Sequence, residues 1–175
     1  RDSVASRGLG DVYKRQGDQM LEWLEYSSIS IWVGESIWGY PIMLGLHVIG
    51  LATVVGIFTM LNFRILGLFE SLELSSFMEF FKLAWIGLLI NAASGFALFS
   101  SQATFYITNI PFLVKISSIL VGSIIGVKIH CRLRKSAKIW DQDKNKLKTQ
   151  DRILAGFSLF VWLCAIFGGR LIAYI

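Results

Sequence analysis

The sequence predicts an all-α fold: an integral membrane four-helix bundle preceded by an amphipathic helix on the membrane surface. Three observations lead there. Four apolar stretches reach the roughly 20 residues that a helix needs to cross a bilayer. Hydrophobic residues make up 54% of the chain and charged residues only 17%, which leaves too few polar groups to coat a soluble all-α domain. The Lys and Arg residues crowd into two of the connections between those stretches.

Residues 1–16, RDSVASRGLGDVYKRQ, differ in character from the rest of the chain. They are polar, lack helical periodicity and contain no apolar core of a signal peptide. The part GLGDVYKRQ resembles a translated adapter sequence that recurs at the ends of metagenomic reading frames, so the stretch is read as non-native. It carries Arg1, Arg7, Lys14 and Arg15 against Asp2 and Asp11, a net +2 of the chain's formal +5. The remaining +3 gives no case for nucleic-acid binding.

Residues 17–38 mix acids with apolar and aromatic side chains. Met20, Leu21, Leu24, Ile31, Trp23 and Trp32 fit one helical face, with Asp18, Glu22 and Glu25 on the other. That pattern predicts an amphipathic helix on the outer surface, packed over the mouth of the bundle, before the chain turns at Gly39-Tyr40-Pro41. The domain proper is residues 39–175, with spans at 39–62, 82–102, 111–131 and 153–174. Between them, 69–81 reads as a helix on the inner face and Asp141–Asp151 as a solvated loop.

Charge sets the expected orientation. Arg64 and Lys82 flank the first connection, and nine Lys and Arg residues from Lys128 to Arg152 crowd the second. Residues 17–38 and 103–110 contain none. Cytoplasmic loops hold the excess of Lys and Arg. The connections 63–81 and 132–152 are therefore expected inside a bacterial inner membrane, with both termini on the periplasmic side.

Two bases break that rule, Lys115 and Arg170, each near the outer end of its span. At 1.5 Å per residue Lys115 lies about 6 Å below Pro111, Arg170 about 7 Å from the C-terminus and His47 about 9 Å below Pro41. The three are expected to share one layer, with Glu35, Tyr40 and Tyr174 just above it and Glu35 as an ion-pair partner. A charge within a span is costly and marks a functional candidate, although a Lys or Arg this shallow also reaches the headgroups by snorkelling.

Small and polar residues recur at helical spacing inside two spans. Lys115, Ser118, Gly122, Gly126 and His130 form one stripe; Gly87, Asn91 and Gly95 form another. The two stripes are expected to face each other. His47 and His130 cannot share one haem iron, because their expected depths differ by roughly 19 Å. A single haem b with His47 as axial ligand, its propionates held by Lys115 and Arg170, stays open, as does a quinone. His130 is expected to titrate at the inner edge or to cap the helix end. Cys131 and Cys164 read as ordinary thiols.

The segments ES-x-W-x-YP…LHVIGLA at 35–52, NFRILG at 62–67, SGFALFSSQATFYITNIPFLVK at 94–115 and GGRLIAY at 168–174 resemble a family of four-helix bacterial membrane proteins catalogued as domain of unknown function 6644. The resemblance implies the four-helix fold. It places Glu35, His47, Arg64, Lys115, His130, Trp140 and Arg170 on the family's polar or aromatic positions, and it brings no activity with it.

The sequence holds no nucleophile elbow, phosphate loop, metal-ligand cluster or paired-carboxylate motif, so it does not read as a hydrolase or nucleotide enzyme. The function expected is the binding of an anionic or redox cofactor or lipid-soluble ligand, haem b or a quinone, in an outer-leaflet pocket formed by His47, Lys115, Arg170, Glu35, Tyr40 and Asn91. The alternatives are a structural or accessory subunit, docking on a membrane partner or a second copy of itself, and a small oligomeric transporter.

Overall fold

The structure, a computed structural model, describes residues 16–17, 19–142 and 147–174. The adapter-like stretch, apart from Gln16, lies outside the described residues, as do Asp18 and the loop positions 143–146. The described elements are helical. A first helical stretch at 19–25 is followed by α1 (Ser28–Glu35), α2 (Gly39–Leu66), α3 (Phe77–Ser100), α4 (Ala103–Thr108), α5 (Ile110–Gln142) and α6 (Thr149–Leu171). Of these, α2, α3, α5 and α6 are long and apolar enough to cross a membrane, which makes the chain a multi-pass membrane protein. Only 22 to 33% of each span is buried against protein, so most of its apolar surface needs hydrocarbon as its solvent.

The chain forms two compact units. The first comprises the described residues up to His47 together with Ala92–Thr108; the second comprises Val48–Asn91 and the described residues from Asn109 on.

In the first unit, residues 19–35 form two short helices where the sequence predicts one. The break falls at Tyr26–Ser27 because the Ser27 hydroxyl accepts from the Ser30 amide at 3.3 Å and starts α1 anew. Ser30 and Val33 are buried, and the Ser30 hydroxyl donates to the Ser100 carbonyl at 2.8 Å. Trp23 and Met20 stay exposed while Leu21 and Leu24 are half-buried, so the aromatic and aliphatic positions do not share one face. The Glu25 carboxylate accepts from both the amide and the hydroxyl of Thr104, at 2.8 and 2.7 Å, and so satisfies the start of α4. These bonds, the hydroxyl's first, hold its pKa below the usual value. Gly39 packs against the Trp32 carbonyl so closely that a side chain there would collide with backbone.

The second unit packs the four long helices as a bundle around rings. Phe58 of α2 stacks on Trp162 of α6 at 5.7 Å and meets Phe81 of α3 edge-on at 5.9 Å. Gly122 and Gly126 of α5 make room for these rings: a β-carbon on Gly126 would sit 2.7 Å from Phe58, and one on Gly122 3.1 Å from Trp162. The stripe on α3 goes elsewhere. Gly87 and Asn91 meet Gly50 of α2, where an added β-carbon would lie 2.7 Å from the Gly87 carbonyl and 2.8 Å from the Asn91 amide. Within the second unit the two stripes therefore do not face each other as expected: Gly122 and Gly126 receive aromatic rings, while Gly87 and Asn91 receive α2 at Gly50.

The helices run past the boundaries read from the sequence. Helix α5 continues to Gln142, eleven residues beyond 131, so His130 lies within the helix, stacked on Phe81 at 4.4 Å, and caps no helix end. Of the segment 69–81, expected to be an inner-face helix, 69–76 is a loop and 77–81 is the first part of α3. Gly67 ends α2 in the left-handed conformation, and the Leu68 amide donates back to the Phe63 carbonyl at 2.9 Å. Asp141 then anchors the loop by accepting from the amides of Leu74 and Ser75 at 2.7 and 3.0 Å. Arg64 donates to the Leu72 carbonyl and lies 4.0 Å from Asp141. Asp151, expected in solvent, is buried and paired with Arg132.

Candidate functional site

The close approach of α5 and α6 begins at a glycine pair. A β-carbon on Gly168 would lie 3.0 Å from the Pro111 carbonyl and 3.2 Å from the Lys115 amide, so only glycine lets the two backbones meet there. Gly169 then lies under the side chain of Lys115, with Cδ, Cε and Nζ at 3.4, 3.5 and 3.6 Å from the position of an added β-carbon. The methylenes are half-buried along the glycine and carry the ammonium to the residue preceding Arg170. Arg170 is exposed, its guanidinium 5.8 Å from the centre of the Tyr174 ring. Two cations thus sit within one turn of α6, at the Pro111 end of α5.

His47 belongs to the first unit. It is 8% exposed, and its Nδ1 lies 3.3 Å from the Ser94 hydroxyl. A β-carbon on Gly95 would lie 2.9 Å from the imidazole Cε1, so glycine is what seats the ring against α3. An iron would have to bind at Nε2, since Nδ1 faces Ser94. Glu35 stands exposed at the end of α1. Tyr40 is exposed too. Its neighbour Tyr106 has a phenol pushed above the ordinary value by burial, and further by Tyr40. Asn91 is buried in the second unit against Gly50.

Within the second unit, Lys115 and Arg170 lie at the same end of α5 and α6 and Asn91 sits in a helix contact; within the first, His47 lies with Ser94 and Gly95, and Glu35 and Tyr40 are exposed. Sequence reasoning misses Ser94 and the glycine pair as determinants. The signal is present in Gly168-Gly169-Arg170, which enters the sequence reading only through a resemblance. Compared with known proteins, the chain matches no family model, no curated protein and no solved structure.

Proposed function

We propose that this membrane protein binds an anionic group, a phosphate or carboxylate borne by a lipid-soluble molecule, at the Lys115–Arg170 end of α5 and α6. The observation that supports this reading is the seating of the Lys115 side chain along Gly169, the residue before Arg170, which puts two basic residues at the same end of α5 and α6, in spans where a charge marks a functional candidate. The charge bias of the connections supports an orientation with this end on the periplasmic face of a bacterial inner membrane. Haem b, through its propionates, is the first ligand to test. The accessory-subunit reading draws on polar stripes free to dock a partner. Gly50, Gly87 and Asn91 are instead spent on packing within the chain. A transporter would need several copies of the chain, since four helices are few for a pore and the centre of the second unit is filled by Phe58, Phe81 and Trp162.

The test is mass spectrometry of molecules that co-purify with the full chain in mild detergent. A phosphate- or carboxylate-bearing molecule retained by the wild type and lost from Lys115→Met and Arg170→Met supports the reading. Identical retained sets in all three sink it. A Soret absorption of the purified wild type that is lost from Lys115→Met and Arg170→Met identifies the ligand as haem.

A further inference from the structure

At its other end, α5 carries one surface that changes character abruptly. Leu120, Ile124 and Val127 are exposed and apolar, and they recur at the spacing of a single helical face. The same line continues through Cys131, Lys135 and Lys138, with Lys128 and Arg134 beside it, all exposed. The opposite side, Ile129, Leu133, Ala137 and Trp140, is buried in the bundle. The helix is continuous across the change, so both halves of the face point to the same side. Arg132 lies off this arc in effect, since Asp151 neutralises it.

The depth of the change matches a bilayer. From Ile110 to Lys128 the helix rises about 27 Å, close to the roughly 30 Å of a hydrocarbon core; Arg134 and Lys135 lie about 36 and 38 Å along, in the headgroup layer beyond it, and Lys138 about 42 Å along, at the aqueous edge of that layer. The apolar half of the face is then at acyl-chain depth and the basic half at the level of the phosphates. An anionic lipid surface attracts each such Lys or Arg, and long basic side chains reach phosphate oxygens without leaving the helix.

We propose that Lys128, Arg134, Lys135 and Lys138 form a binding surface for the phosphodiester headgroups of anionic phospholipids. The occupant is the lipid of the surrounding bilayer, because the basic arc continues a surface that already requires acyl chains. A soluble polyanion would have to dock on residues that this placement sets against the headgroups. The surface shares no residue with the Lys115–Arg170 site, so either stands or falls alone.

The experiment is native mass spectrometry of the full chain offered equal amounts of phosphatidylglycerol and phosphatidylcholine of the same acyl composition. We expect the chain to retain phosphatidylglycerol several-fold over phosphatidylcholine, with the preference falling as ionic strength rises. The K128Q/R134Q/K135Q/K138Q variant should lose the preference at unchanged helix content. The double variant K128Q/K135Q should lose part of it, which keeps the test open should the quadruple variant express poorly. Equal retention of the two lipids by the wild type, or a preference that survives the substitutions, overturns the proposal. So does tight binding of an oligonucleotide or an acidic peptide to the wild type in phosphatidylcholine nanodiscs that the quadruple variant loses, with no lipid preference beside it.

Discussion

The Asn62 side-chain amide donates to the Ser158 hydroxyl at 2.9 Å, joining α2 to α6 with both side chains fully buried. The bond lies one helical turn from the stacked pair Phe58–Trp162. Between helices in a membrane the hydrophobic effect adds little, so packing and such bonds carry association.

Ser158→Ala removes the acceptor and leaves a buried amide proton without its partner. The expected loss is about 0.6 to 2 kcal/mol, the range for an interhelical hydrogen bond in a membrane. Replacing both residues, as in Asn62→Leu with Ser158→Ala, removes the desolvation penalty along with the bond and should recover most of that loss. A double-mutant cycle of unfolding in mixed micelles reads the coupling; independent, additive effects would show that the bond contributes nothing.

Asp141 holds the 67–76 loop through two amides, so its removal should act there and not across the bundle. Asp141→Ala is expected to cost about 1 to 2 kcal/mol, as loss of a helix-capping carboxylate does. Asp141→Asn keeps one acceptor oxygen and should fall between. Hydrogen exchange supplies the check: the amides of Leu74 and Ser75 should speed up in Asp141→Ala while those of α6 do not change.

The four spans are legible because roughly twenty predominantly apolar residues in a row, in a chain so short of charge, fit little except a membrane crossing. Their ends are not, because Arg64, Lys82, Arg132 and Arg152 look like boundaries. A charge ends a hydrophobic run without ending a helix, whose backbone bonds continue in water. What stops α2 is Gly67, with its left-handed backbone and the return bond from Leu68. What fixes the start of α3 is a carboxylate 67 positions away from Leu74, which no local pattern announces. The candidate site divides in the same way. Lys115 and Arg170 stand out by charge alone. The packing partners that seat His47 and Lys115 are small residues on other helices, and small residues carry no sign of which neighbour they admit. Gly122 and Gly126 show this: their spacing predicts a close contact but does not distinguish a ring from a backbone.

Glu25 makes the start of α4 sensitive to acid. Its pKa in the folded chain is lowered from 4.5 by the Thr104 hydroxyl and then the Thr104 amide. A depressed carboxylate contributes stability that is complete above its unfolded value and is lost as pH falls through the folded one. The Thr104 amide should therefore exchange at a constant protection factor from neutral pH down to about 4.5 and lose protection below that. The carboxylate is largely open to solvent, so the effect is local and small. Thr104→Val removes the stronger bond and should shift the loss to higher pH; protection independent of pH down to full protonation would refute the cap.

Gly126 and Gly156 provide a matched pair, one glycine that is needed and one that is not. At Gly126 an added methyl would lie 2.7 Å from the Phe58 ring, which cannot retreat because Trp162 stacks on one side and Phe81 closes the edge. Gly126→Ala should therefore destabilise by about 1 to 3 kcal/mol, the usual cost of overpacking a filled core. Nothing lies within 4 Å of the corresponding position at Gly156, so Gly156→Ala meets open space. It should be neutral or stabilising by up to about 1 kcal/mol, the helix propensity gained. Thermal unfolding of the two variants in one detergent gives the comparison. Phe58→Leu in the Gly126→Ala background should restore part of the loss, since the smaller side chain vacates the space the methyl takes. If Gly126→Ala unfolds no earlier than Gly156→Ala, the aromatic centre of the bundle is not seated on that glycine.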